Sequence, residues 1–201
     1  MKIQDLIFSI KNNDIVVPEF QREFVWGNDR VKSLISSLIN EYPVGGILLW
    51  KTNDPPSLKG AISENLDPNR TYQVLLDGQQ RSTALYLMIE GKIPPYYSVN
   101  DITKDPRTLA YNLYTGELQY WKRSMQNDQC WVYVTDCMQN KIDEVGIAFE
   151  ISEKFRNLKN LKNFEFNFNI ERDNQVFSLI RKLFDQAGIP IKFASQQIWK
   201  I

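Results

Sequence analysis

A chain of 201 residues with 43% hydrophobic content carries enough apolar mass for one sizeable core, or a core with a small helical annex. Lysine plus arginine and aspartate plus glutamate both number 24, so the formal charge is zero and the basic cloak of a dedicated nucleic-acid binder is missing. The absence of histidine excludes imidazole as base, nucleophile partner or metal ligand, and with it a His-metal nuclease centre in this chain.

In chain order, Ile3 to Lys11 reads as an amphipathic helix, with Ile3, Leu6, Ile7 and Ile10 at helical spacing. "DIVVPEF" follows as a short strand stopped by Pro18. A helix is predicted from Asn28 to Glu41, with Asn28 as N-cap, Asp29 in the first turn, and Val31, Leu34, Ile35, Leu38 and Ile39 on one face. "YPVGG" breaks it, and "ILLWK" reads as a buried strand by composition and length. Thr52 to Arg70, rich in Pro, Asn and Asp, is expected to be a surface loop. "VLLDGQQRSTALYLMIEG", Val74 to Gly91, reads as strand, turn and helix. "TLAYNLYTGELQYW" then suggests a hairpin turning at Thr115-Gly116, and "CWVYV" a further strand. The remainder is expected to be mainly helical, over Ile142 to Leu161 and Glu171 to Ala187, with "IPIKF" as a last strand-like piece. The order fits a mixed α/β N-terminal two-thirds followed by a helical third. No signal-peptide run or membrane-length apolar stretch is present, so a cytoplasmic protein without membrane association is expected. Cys130 and Cys137 lack CxxC or zinc-knuckle spacing and read as ordinary part-buried thiols.

Chemistry must rest on carboxylates, arginines, glutamines, hydroxyls and a hard cation such as Mg2+. Arg81 stands out. At 100° per residue it projects onto the apolar stripe of Ala84, Leu85, Leu87, Met88 and Ile89, away from a wet face of Gln79, Thr83 and Glu90. It also sits in the first turn, where the helix dipole disfavours a cation. A phosphate there would resolve both conflicts, because glycine-flanked N–H groups at a helix start bind anions and the guanidinium pairs with them. Asp77 is then a candidate Mg2+ ligand, and Gln79 or Gln80 a candidate for orienting a water. The structural alternative makes Asp77 an N-cap, pairs Arg81 with a core carboxylate and leaves the glutamines solvated.

A second constellation is "VPEFQREFVWGNDR". Arg22 there is a candidate second cation, and Trp26 or Phe20 a candidate base-stacking ring; the alternative is an aromatic loop clamping core to surface. Lys154, Arg156, Lys159 and Lys162 cluster as candidate DNA-phosphate contacts, or as a solvated helix face. Tyr111, Tyr114, Tyr120 and Trp121 are either a stacking platform or cross-strand packing. No Walker A, GxGxxG, GxSxG or HNH signature is found.

Taken together, "VPEFQREFVW" and "VLLDGQQRSTALYLM" resemble the paired signatures of the GmrSD restriction endonuclease N-terminal domain family. "LISSLINEYPVGGILLW" and "LAYNLYTGELQYW…WVYVTD" are similar to its intervening and later segments, so the resemblance covers Lys2 to about Asp136 and, more loosely, the rest. It implies an α+β fold related to ParB/sulfiredoxin: a nucleotide-binding domain over 1–136, and a mainly helical extension over 137–201 packed on the same core. It also implies nucleoside triphosphate binding and hydrolysis, GTP favoured and Mg2+ required, regulating anti-phage defence against modified DNA. Carried over by motif, Asp77, Gly78, Gln79, Gln80 and Arg81 form the nucleotide loop. Gln21 and Arg22 complete the pocket, and Ser82 and Thr83 supply hydroxyl donors. Members of that family continue into, or pair with, an HNH-type nuclease domain. A chain without histidine is therefore expected to act with a separate or missing nuclease partner. Two other classes stay open: a non-catalytic DNA-recognition module, and a docking subunit for the nuclease.

Overall fold

The computed structural model describes residues 2–139 apart from 41, 61, 63–65, 103, 114 and 129. The predicted helix over 142–161, the one over 171–187, the last strand-like piece and the Lys154–Lys162 cluster lie outside these residues. Helix α1, Ile3–Lys11, buries Leu6, Ile7 and Ile10 from one face, and Asp5 accepts the Lys2 N–H at 2.9 Å across its first turn. Strand β1, Ile15–Val16, is followed by Pro18, which makes only an isolated bridge to Leu58.

Helix α2, Asn28–Ile39, starts at the residue predicted as its cap, so the cap moves one position earlier. Asn28 is helical, and the cap position belongs to Gly27, in extended conformation, whose carbonyl accepts from Arg30 and Val31. The helix ends before the predicted Glu41, where the Asn40 amide donates to the Ser36 carbonyl at 2.8 Å. Of the predicted face, Val31, Leu34, Ile35 and Ile39 are buried and Leu38 packs on their edge.

Strand β2, Leu48–Thr52, overturns the expectation of a buried strand. It pairs with β3, Tyr72–Asp77, and is the end strand of a three-stranded sheet ordered β1-β3-β2. Leu48 remains 57% exposed and Trp50 45%, because an edge strand is covered on fewer sides than its composition alone suggests. The central strand β3 runs parallel to β1 and antiparallel to β2, and its Val74 and Leu75 are fully buried.

From β3 the chain passes through Gly78 into helix α3, Gln79–Glu90. This helix packs against α1, α2 and α4 (Val134–Met138), so Gln79, Gln80 and every residue from Ser82 to Met88 are buried. The wet face assigned to Gln79 and Thr83 therefore does not exist. With neighbours on several sides, periodicity cannot mark one solvent face. A second sheet, ordered β5-β4-β6, is antiparallel throughout: β4 is Leu109–Asn112, β5 Leu118–Tyr120 and β6 Trp131–Tyr133. The hairpin turns at Gly116, with a positive φ of 74° and its N–H on the Asn112 carbonyl. Tyr111 is buried in the core, Trp121 stacks on Tyr133 with ring centroids 4.7 Å apart, and the Tyr120 hydroxyl donates to the Asn28 carbonyl. These aromatics hold the hairpin to its neighbours instead of forming an open platform.

One apolar cluster joins α1, α2, α3, the second sheet and α4. The expected boundary after residue 136 falls inside α4, whose Cys137 is part of that cluster; Cys130 and Cys137 are both buried. The result is an α+β fold. Among the described residues, no helix is long and apolar enough to cross a membrane.

Candidate functional site

The sheet delivers β3 to a tight turn at Gly78, whose φ of 93° favours glycine. A side chain there would also meet crowding, since an added Cβ would lie 3.1 Å from Ile47 Cγ1 and 3.3 Å from Arg81 Nη2. Arg81 Nη2 donates to the Gly46 carbonyl at 2.5 Å and stands 3.4 Å from Asp77 Oδ2. Its Nε is buried without a hydrogen-bond partner among the described residues. The guanidinium lies so close over the Gly45-Gly46 turn that a Cβ on Gly45, at φ 86°, would sit 2.6 Å from Nη1.

The carboxylate that Arg81 meets is not in the core. Asp77 is 75% exposed while the Arg81 side chain is 23% exposed, so the pair is long, hydrated on one side and worth little. Asp77 is not the N-cap either, because Gly78 occupies that position. Arg81 thus keeps donor capacity at the start of α3, where the helix dipole favours an anion, although Gly78, Gln79 and Gln80, which carry the first turn, are buried.

An open cleft of about 380 Å³ lies against this arginine, a size within the range of small-molecule sites. Arg30 and Arg81 supply its cations, Asp29 its carboxylate, and Ser33 and Ser37 its hydroxyls. Trp26, Pro43 and Val44 line its apolar part. Sequence reasoning found Trp26 and Arg81 here but missed the others. The available signal was the spacing Arg30, Ser33, Ser37, which falls along one side of α2, and the "YPVGG" segment, which does more than break the helix.

The remaining candidates take different places. Gln79 and Gln80 are buried, with relative exposures of 3% and 9%. Gln79 Nε2 donates to the Arg22 carbonyl at 2.9 Å and to the Tyr97 hydroxyl. Gln80 Nε2 donates to the Glu23 carbonyl at 2.8 Å, and its Oε1 accepts the Val25 N–H at 2.9 Å. Gln21 Nε2 donates to the Leu76 carbonyl at 2.8 Å. The two glutamines are therefore not solvated; they tie the first motif to the second. The Arg22 side chain is exposed and does not line the cleft. Ser82 and Thr83 are fully buried, with the Thr83 hydroxyl 3.0 Å from that of Tyr96, and neither lines the cleft. Among the described residues no cluster of three or more His, Cys, Asp or Glu could hold a metal ion, and Asp77 belongs to none.

Burial pushes the phenols of Tyr96 and Tyr97 well above the ordinary tyrosine range, and the Glu23 charge adds to the effect on Tyr97. Both hold their protons more tightly in the folded state. Their contribution to stability is complete below the unfolded pKa of about 10 and is lost as pH rises beyond it. Urea unfolding is expected to show stability falling from pH 9 towards pH 11, with a shallower fall in Tyr96→Phe.

The chain as a whole is similar to known proteins. An uncharacterized protein of Methanocaldococcus jannaschii is 34% identical over 110 residues. That match takes in 50% of this chain and 18% of the relative, so the chain corresponds to a small part of that protein's length. The family described as GmrSD restriction endonuclease, N-terminal domain, matches residues 3–200.

Proposed function

The chain belongs to the GmrSD restriction endonuclease N-terminal domain family, and from that premise we propose that it is the nucleotide-binding regulatory domain of a DNA restriction system. In this reading a nucleoside triphosphate, GTP favoured, occupies the cleft between α2 and the start of α3. Arg81 and Arg30 take its phosphates as charge-assisted donors, and the Trp26 ring meets the base. Asp77, an exposed carboxylate beside Arg81, would be the residue to hold Mg2+, which when bound would supply charge neutralisation for hydrolysis. The other partners are modified DNA and a histidine-based nuclease domain, since this chain has no histidine of its own.

The observation that carries the reading is Arg81: a largely buried guanidinium facing a cleft, paired only distantly with an exposed carboxylate, and with a buried Nε that nothing in the described fold satisfies. A free protein gains little from such an arrangement, while a bound anion would pair with the guanidinium charge. Thermal melting with each of the four ribonucleoside triphosphates and MgCl2 tests it. Ligand at a hundred times its dissociation constant stabilises by ~2.7 kcal/mol, so a real site gives a clear shift. No shift with any of the four would overturn the proposal. Lys154, Arg156, Lys159 and Lys162, the candidate DNA contacts, lie outside the described residues.

A further inference from the structure

The segment from Gln21 to Trp26 crosses the start of α3 as a strap outside any strand, held by side chains of α3, by Gln21 on the Leu76 carbonyl and by an isolated bridge from Phe24 to Ile102. The Gln80 amide reads the strap as a neighbouring strand would: it accepts the Val25 N–H at 2.9 Å and donates to the Glu23 carbonyl at 2.8 Å. Its nitrogen also donates to Gln79 Oε1 at 3.0 Å, which fixes the orientation of both amides, while Gln79 donates onward to the Arg22 carbonyl. A carboxamide offers, without ionisation, a donor and an acceptor on one planar group with this reach. Both amides are buried, so a strap that lifted away would leave desolvated polar groups unmatched.

We propose that Gln80 is a positioning residue: its amide clips the strap to α3 and so sets Trp26, one residue beyond the clipped Val25 N–H, in the wall of the cleft. This assigns Gln80 a role different from orienting a water, and it rests on the cleft being the nucleotide site. The clip follows from three features. Phe24 is buried beneath the strap, while Val25 is 53% exposed and lies outside any strand, so its N–H has no ladder to join. On the strap's outer face the Arg22 side chain is exposed, and the Glu23–Lys59 ion pair is made between side chains and holds no backbone group. Arg81, one position after Gln80, lines the same cleft. One turn of helix therefore carries one lining residue and positions another.

Two measurements test the clip without nucleotide. In the unmodified protein the Val25 N–H is expected to exchange with deuterium at the slow rate of a bonded amide; exchange at the rate of a free loop amide overturns the proposal. In Gln80→Glu the donor to the Glu23 carbonyl is lost, and trypsin is expected to cut after Arg22 on the order of tenfold faster. Cleavage after the exposed Lys92 and Arg123 is expected to stay within about twofold, since proteolysis tracks local opening. Unchanged cleavage after Arg22, or equal acceleration at all three sites, overturns it. For the site, Gln80→Glu and Trp26→Ala are each expected to weaken GTP with Mg2+, and the double variant to lose no more than the worse single one. Additive losses sink the positioning role. If the wild-type protein binds no nucleotide while Arg22 is still selectively released, the clip stands and the nucleotide reading of the cleft falls.

Discussion

Replacing Arg81 with alanine is expected to weaken nucleoside triphosphate binding about a hundredfold while costing the free domain only about 1 kcal/mol. The small cost follows from what Arg81 touches. Its bond to the Gly46 carbonyl at 2.5 Å is made to an exposed glycine, so water replaces it when the guanidinium is removed. Asp77 at 3.4 Å is mostly solvated already, and Nε leaves no orphaned acceptor because it has no partner among the described residues. The large cost follows from what the guanidinium offers a phosphate: two charge-assisted hydrogen bonds, each worth ~1.5–3 kcal/mol. At a ligand concentration that gives the wild type ~2.7 kcal/mol, a hundredfold loss of affinity leaves ~0.4 kcal/mol. Melting curves with and without ligand, together with isothermal titration, separate the two effects. Arg81→Lys is expected to recover part of the affinity, because it restores the charge without the planar fork. Undiminished binding in Arg81→Ala would place the phosphates elsewhere.

The sequence carried much of this arrangement, but unevenly. Leu6, Ile7 and Ile10, and Val31, Leu34 and Ile35, marked their helices because each helix meets the core along one side only. The same logic failed for α3. Thr83 looked wet and is fully buried against Tyr96, since α3 is enclosed by α1, α2 and α4. Leu48 and Trp50 failed in the opposite sense: apolar composition reports what a strand can bury, not whether it lies at the sheet's end. At the site, Arg81 was legible as a charge in the wrong place. Arg30, Ser33 and Ser37 were not, because a polar helix face carries the same pattern whether it meets solvent or a ligand. Gln79 and Gln80 were visible as a motif, but their partners are backbone groups of Arg22, Glu23 and Val25. A side chain that binds main chain leaves no complementary residue in the sequence to reveal it.

"EFQREF" contains two phenylalanines that composition cannot tell apart, and their substitutions are expected to differ most of all. Phe24→Ala is expected to destabilise the domain by ~3–5 kcal/mol, whereas Phe20→Ala stays within ~0.5 kcal/mol. Phe24 is 2% exposed and belongs to the main apolar cluster; Phe20 is 69% exposed. The cost at Phe24 falls towards the upper end of its range because the cavity cannot close. Gln80 holds the backbone on both sides of it, at the Glu23 carbonyl and the Val25 N–H, and Phe24 itself bridges to Ile102. A backbone pinned at three points does not sink into the space a ring leaves, so the lost contacts are not recovered. Against a typical domain stability of about 5–15 kcal/mol, such a loss brings unfolding within reach of physiological temperature. Urea unfolding of both variants measures the contrast directly. A loss below about 1.5 kcal/mol at Phe24 would mean that the strap yields to fill the cavity. A strap that yields there would not hold Trp26 at a fixed place in the cleft wall, so this one measurement also bears on how rigidly the two motifs are joined.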